Sequence, residues 1–153
     1  MLLLALAGGL RRAMPMGRGS WSVPALTSIT GVCAIAGGAF PTDPLPGYPP
    51  GEGGHEVATL TGTIHNLNIV PFHLAITAAA MVMAQRLFTE PGRRAWAWSC
   101  VATAVLAPAT IMVTLALADS GFHGLWQRIN LTISLGWFAA MAWRLLRALP
   151  RTA

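Results

Sequence analysis

Five carboxylates and four histidines are all the carboxyl and imidazole chemistry that this 153-residue chain holds. The polar residues that could act gather where apolar segments begin or end: Asp43, His55, His65, Asp119, His123, Gln127 and Arg128. Of these, Asp43, His65, Arg128, His123, Gln127 and Asp119 are the candidates for a ligand-binding site or a structural hub. Asp43 lies between Pro41 and Pro44, which hold its surroundings in an extended or turn conformation. Arg128 is the only basic residue expected at this end of the chain's apolar segments. A carboxylate beside it offers a short, charge-assisted bond, so Asp43 is expected within reach of Arg128, His65 or both. The plainer role for Asp43 is to accept backbone N–H groups within its own turn. His55 and His123 read most simply as solvated loop histidines.

The same residues allow two further chemistries. His65, His123 and Asp43 would give Zn²⁺ three N/O ligands and an open position for a water nucleophile, as in a metal-dependent hydrolase acting on membrane lipid. His65 and His73 could hold haem, but an offset of about 80° around one helix argues against their sharing it. Familiar catalytic motifs are missing from the sequence. His55-Glu56 has no following His at the spacing a metalloprotease helix needs. The chain shows no phosphate-cradling loop, paired-cysteine metal site or serine elbow. Cys33 and Cys100 sit in apolar runs at depths about 10 Å apart, so they read as packing residues and not as a disulfide.

The elements that must position these groups follow from composition. Hydrophobic residues make up 54% and charged residues 10% of the chain, where a soluble domain carries about 25% charged. Lipid must therefore solvate much of the surface. The pattern predicts an all-α transmembrane bundle in a single domain, with full spans at about 21–40, 59–86, 96–117 and 125–146 and a remnant helix at 1–12. Positive charges follow the first apolar stretch, the reverse of a cleavable signal peptide, so it reads as the end of a helix whose beginning is missing. The Pro- and Gly-rich stretch 41–56 is a loop, and Pro71 and Pro108 should bend their helices, leaving carbonyls for Thr or Asn side chains.

All ten basic residues are Arg, and their placement sets an orientation. Alternating crossings put Arg11, Arg12, Arg18, Arg86, Arg93, Arg94, Arg144, Arg147 and Arg151 on one side, predicted to be the cytoplasm of the cell membrane. The loops 41–58 and 118–124 then fall on the extracytoplasmic side. Trp21, Trp96, Trp98 and Trp143 fall at the inner interface and Trp126 at the outer. The net charge of +5 is thus spent on small groups at span ends, which is not a nucleic-acid stripe.

Within the spans, Ser28, Gly31, Ala34 and Gly38 form a small-residue face for close helix approach. Thr61, His65 and Asn68 share one stripe, and Asn66, His73 and Thr77 a second. Ser99, Thr103, Thr110 and Thr114 form a packing stripe, and Gln127, Asn130, Ser134 and Trp137 share a face of the last span. Polar groups at bilayer depth normally bond between helices or line a cavity. The sequon Asn130-Leu131-Thr132 lies inside a span and is discounted.

Three stretches carry a family resemblance: Phe40-Pro-Thr-Asp-Pro44, the Thr, Gly and His between Thr59 and His65, and Gly124-Leu-Trp-Gln-Arg128. In order and spacing the chain resembles the multi-pass bacterial and archaeal membrane proteins grouped as domain-of-unknown-function family 998, from about Trp21 to Arg147. The resemblance implies a helical membrane fold with more spans than this chain holds. It implies no reaction. The favoured reading is a non-enzymatic membrane protein, without a cofactor, whose outer polar cluster binds a ligand, a lipid headgroup or another protein. Membrane lipid, a membrane-protein partner or a second copy of the chain are its expected partners.

Overall fold

The computed structural model describes residues 1–44, 58–118 and 121–148. Among them are five α-helices and no strand: α1 (Leu2–Ala13), α2 (Ser22–Ala39), α3 (Leu60–Phe88), α4 (Arg94–Ala116) and α5 (His123–Ala148). Four of these are long and apolar enough to cross a membrane: Ser22–Ala39, Leu60–Phe88, Arg94–Ala116 and His123–Arg147. At 1.5 Å per residue, the 29 residues of α3 reach about 44 Å, well beyond a hydrocarbon core of about 30 Å. Helix α1, at 12 residues, is too short to cross.

Helix is what these segments must form in lipid, because only internal bonding satisfies every backbone group there. The connections are short. Gly17 and Gly19 adopt φ of 90° and 80°, a left-handed backbone that reverses the chain between α1 and α2. Pro91 and Gly92 turn the chain between α3 and α4. Both long helices run unbroken through their prolines, Pro71 in α3 and Pro108 in α4.

Packing follows a ring. Helix α2 lies on α3, α3 on α4, α4 on α5 and α1 on α2, with a lighter contact from α1 to α5. The seam between α3 and α4 is built from small residues, with Ala79, Ala80, Ala97 and Ala107 fully buried, so the backbones approach closely. At Gly31 of α2 a Cβ would come within 3.1 Å of both Leu3 and Leu4, which is where the small-residue face receives α1. Ile76, Met83, Trp137, Phe138 and Met141 complete the core. Large apolar side chains such as Val32, Leu67, Leu74, Val105 and Met112 instead point outward and are exposed. A water-soluble protein rarely shows such continuous apolar surface; a bilayer covers it.

Candidate functional site

At the end where α2 stops and α3 starts, two stretches of the sequence clasp one another. Thr59 caps α3, its hydroxyl accepting from Gly62 N at 3.0 Å. The Asp43 carboxylate accepts from Thr59 N at 3.1 Å and from the Thr59 hydroxyl. That hydroxyl has spent its proton on Asp43, so Thr61 donates across the 2.8 Å contact between the two threonines. The carboxylate thus sits on the positive end of the α3 dipole, where an anion is favoured. It lies so close to Gly62 that any Cβ there would collide with it. One turn on, His65 Nδ1 donates to Phe40 O at 2.7 Å, and further down Asn68 Nδ2 donates to Cys33 O at 2.7 Å. Asp43, His65 and Asn68 therefore stitch the two helices together along one seam.

This corrects the expected pairing of Asp43 with Arg128. The ion pairs among the described residues are Arg86–Glu90 and Arg93–Glu90. Arg128 turns back on its own helix and donates to Gly124 O, four residues away, at 3.0 Å. Nor does His65 reach the Asp43 side chain; its bond goes to the backbone of Phe40. Asp43 caps the next helix and not its own turn. His123 Nδ1 donates to Thr114 O at 3.2 Å, tying the start of α5 to the end of α4, and Gln127 is exposed on α5. Asp119 and His55 lie outside the described residues. Among the described residues, no group of three His, Cys, Asp or Glu could hold a metal ion.

A second polar cluster lies midway along the spans. Asn130 of α5 is 2% exposed. Its Nδ2 donates to Ala107 O at 2.6 Å and to the Thr110 hydroxyl at 2.8 Å, both on α4. Its Oδ1 faces His73 Nε2 of α3 at 3.0 Å, while His73 Nδ1 faces Ile69 O at 2.9 Å. Both acceptors call for an N–H, and a neutral ring supplies one at a time. Ala107 directly precedes Pro108, but the carbonyl that the proline's missing N–H leaves without its helical bond is that of Ala104, four residues back. The Asn130 bond to Ala107 O therefore ties two helices and does not fill that need. One turn below, Thr77 Oγ1 and Ser134 Oγ are buried without a partner. They stand out because Thr27, Thr30, Thr103, Thr110 and Thr114 all bond back to their own helix.

The basic end of the bundle holds a cavity of about 310 Å³, framed by Arg86, Glu90, Arg93, Trp96 and Arg144 over Met14, Met83, Leu87, Met141 and Leu145. Glu90 accepts from Arg86 Nε at 3.1 Å and pairs with Arg93 Nε at 3.3 Å. Arg86 Nη1 also donates to Met16 O and Arg18 O, both at 3.1 Å, pinning the α1–α2 connection. The Arg144 guanidinium lies 4.3 Å from the Trp96 ring centre, and no described residue accepts a hydrogen bond from it. Nothing in the candidate set from the sequence pointed here. The usable signal was the spacing Arg86, Glu90, Arg93, which places a carboxylate within reach of two guanidinium groups.

The family described as "Protein of unknown function (DUF998)" matches residues 1–144, and the chain belongs to it. No curated protein and no solved structure matches the chain. Family and helices together make this a multi-pass membrane protein.

Proposed function

We propose that the chain is a non-enzymatic protein of the cell membrane that binds a ligand in the cavity at its basic end. The Arg-rich end faces the cytoplasm together with the C-terminus, and the loops 41–58 and 118–124 face the other side, as the one-sided distribution of Arg requires. The observation that carries the binding reading is the 310 Å³ cavity framed by charged side chains. Its volume suits a small organic group or part of a lipid. The polar cluster at the opposite end supports the non-enzymatic half. Asp43 accepts capping bonds at the start of α3, and His65 and His123 each commit Nδ1 to a backbone carbonyl, as fasteners do and as a converging catalytic set does not.

Native mass spectrometry of the full chain purified in mild detergent tests the reading. A retained small-molecule adduct is expected, and Ala13→Trp, which fills the cavity from its exposed rim, should remove it. A bare protein in both cases overturns the proposal, as does an adduct indifferent to the substitution.

A further inference from the structure

We infer that the cavity at the basic end takes the phosphate headgroup of an anionic membrane lipid, with the start of an acyl chain along its Met and Leu wall. The inference rests on the cavity being a ligand site. Three guanidinium groups frame it, those of Arg86, Arg93 and Arg144, against the single carboxylate of Glu90. Three positive charges less one negative leave two without a counter-charge. Glu90 is itself divided between Arg86 and Arg93 and touches only their Nε atoms. Each guanidinium carries five N–H donors in a planar fork. Arg86 has further spent Nη1 on two backbone carbonyls, whereas both terminal nitrogens of Arg93 and the whole fork of Arg144 have no acceptor among the described residues. Two non-bridging phosphate oxygens match that fork in bidentate geometry.

The floor selects for more than an anion. Met14, Met83 and Met141 are buried and, with Leu87 and Leu145, form an apolar wall below the charges. Methionine adapts to a flexible chain. The site therefore pairs a cationic rim with an apolar depth, the profile of a lipid at the depth where its headgroup lies. Basic pockets between spans on this face of a bilayer bind such headgroups. A zwitterionic choline lipid would bring its own cation against the two uncompensated charges and should be excluded. Not every Arg at this end contributes. Arg11 and Arg147 stack on Trp21 and Trp143 and do not frame the cavity, and Arg12 is exposed away from it.

The full chain in detergent is titrated with phosphatidylglycerol, with phosphatidylcholine and with inorganic phosphate, and binding is read by native mass spectrometry. Phosphatidylglycerol should bind, phosphatidylcholine should not, and millimolar phosphate should neither bind comparably nor compete. Arg144→Gln should weaken phosphatidylglycerol about tenfold, the worth of one charge-assisted bond, and Arg93→Gln, on an exposed turn, should do likewise if the first variant fails to fold. Arg12→Gln changes the net charge equally and should leave binding unchanged. Equal weakening by Arg12→Gln reduces the effect to surface charge and overturns the inference. Equal binding of phosphatidylcholine overturns the anionic class while leaving the cavity a ligand site. Comparable affinity for phosphate makes the ligand a free anion and overturns the lipid. Binding of none of the three overturns the lipid class; loss of the native adduct as well overturns the binding reading beneath it.

Discussion

Asn130→Leu is the most informative single change to the fold. The side chain is buried and makes three bonds, to Ala107 O, to the Thr110 hydroxyl and to His73 Nε2. Leucine has a similar volume, so little cavity cost is added. Interhelical hydrogen bonds in membrane bundles average about 0.6 kcal/mol, which puts three at about 2 kcal/mol. The survivors are not equally hurt. Thr110 keeps its bond to Leu106 O, and Ala107 O keeps a 3.2 Å bond from Thr110, but His73 Nε2 is left facing an apolar group. An orphaned polar group of that kind adds about 1 kcal/mol. The expected loss is therefore about 2–3 kcal/mol, read by equilibrium unfolding in mixed detergent and dodecyl sulfate. His73→Leu alone removes one tie and should cost about 1 kcal/mol. The double variant should fall short of the sum by about 1.5 kcal/mol, because the tie the two residues share is counted in both single changes and the orphan is gone. As a control, Asn66→Leu at an exposed position of α3 should change stability by less than about 0.5 kcal/mol. Strict additivity of the two changes, or a cost for Asn130→Leu no larger than the control's, would refute the network.

Three other outcomes follow from the geometry. Gly62→Ala should destabilise by about 1–3 kcal/mol, since its Cβ collides with the Asp43 carboxylate; in an Asp43→Ala background the same change should become neutral or stabilising, alanine being the better helix former. A thermal-melt series of the four proteins shows whether that sign reverses. Ser134→Ala should leave stability unchanged or raise it by up to about 1 kcal/mol, because it removes a buried hydroxyl without a partner; a clear loss in the same unfolding assay would show that the hydroxyl is bonded after all. In a background lacking Cys33 and Cys100, Thr42→Cys should react with an impermeant thiol reagent added outside intact cells, and Arg12→Cys only after lysis. The reverse pattern would invert the proposed orientation.

The spans were legible because lipid imposes a length and a composition that few other constraints imitate. Ser22–Ala39 and Arg94–Ala116 fall within two residues of the expected bounds. Legible too was the burial of Thr103, Thr110 and Thr114 on one face of α4, which follows from helical spacing alone. Partners were harder. The sequence offers one carboxylate and one guanidinium at the same depth, and charge suggests pairing them. What it hides is that Thr59, sixteen residues on in the chain, is brought back beside Asp43 because α2 and α3 are antiparallel neighbours. Gly62 then opens room for the carboxylate over the first turn, a steric condition that only the assembled backbone reveals. His73 and Asn130 each lay on a recognised stripe, but periodicity does not say which helix a stripe faces. The cavity at the basic end was overlooked because Arg at a span end already has a sufficient reason to be there.

Backbone carbonyls are the common destination of the polar ties, and this separates fastening from function. Phe40 O lies at the end of α2 and Thr114 O in the last turn of α4, where the helix supplies no N–H of its own. In lipid such a carbonyl is costly if left bare. His65 and His123 cover these two while fixing which helices meet. Met16 O and Arg18 O, in the connection between α1 and α2, are covered by Arg86 in the same way. Mid-helix, Cys33 O and Ala107 O accept a second bond from Asn68 and Asn130, which adds helix pairing without rescuing an orphan. Each histidine and asparagine that makes such a bond thus has a structural reason to be in a membrane protein. Arg93 commits only its Nε, to Glu90, and Arg144 only stacks on Trp96; their remaining donors cover no carbonyl among the described residues and face a cavity with an apolar floor. Charged donors left over by the fold beside a cavity are where a ligand has most to gain, and for that reason the binding reading is placed at the basic end and not among the histidines.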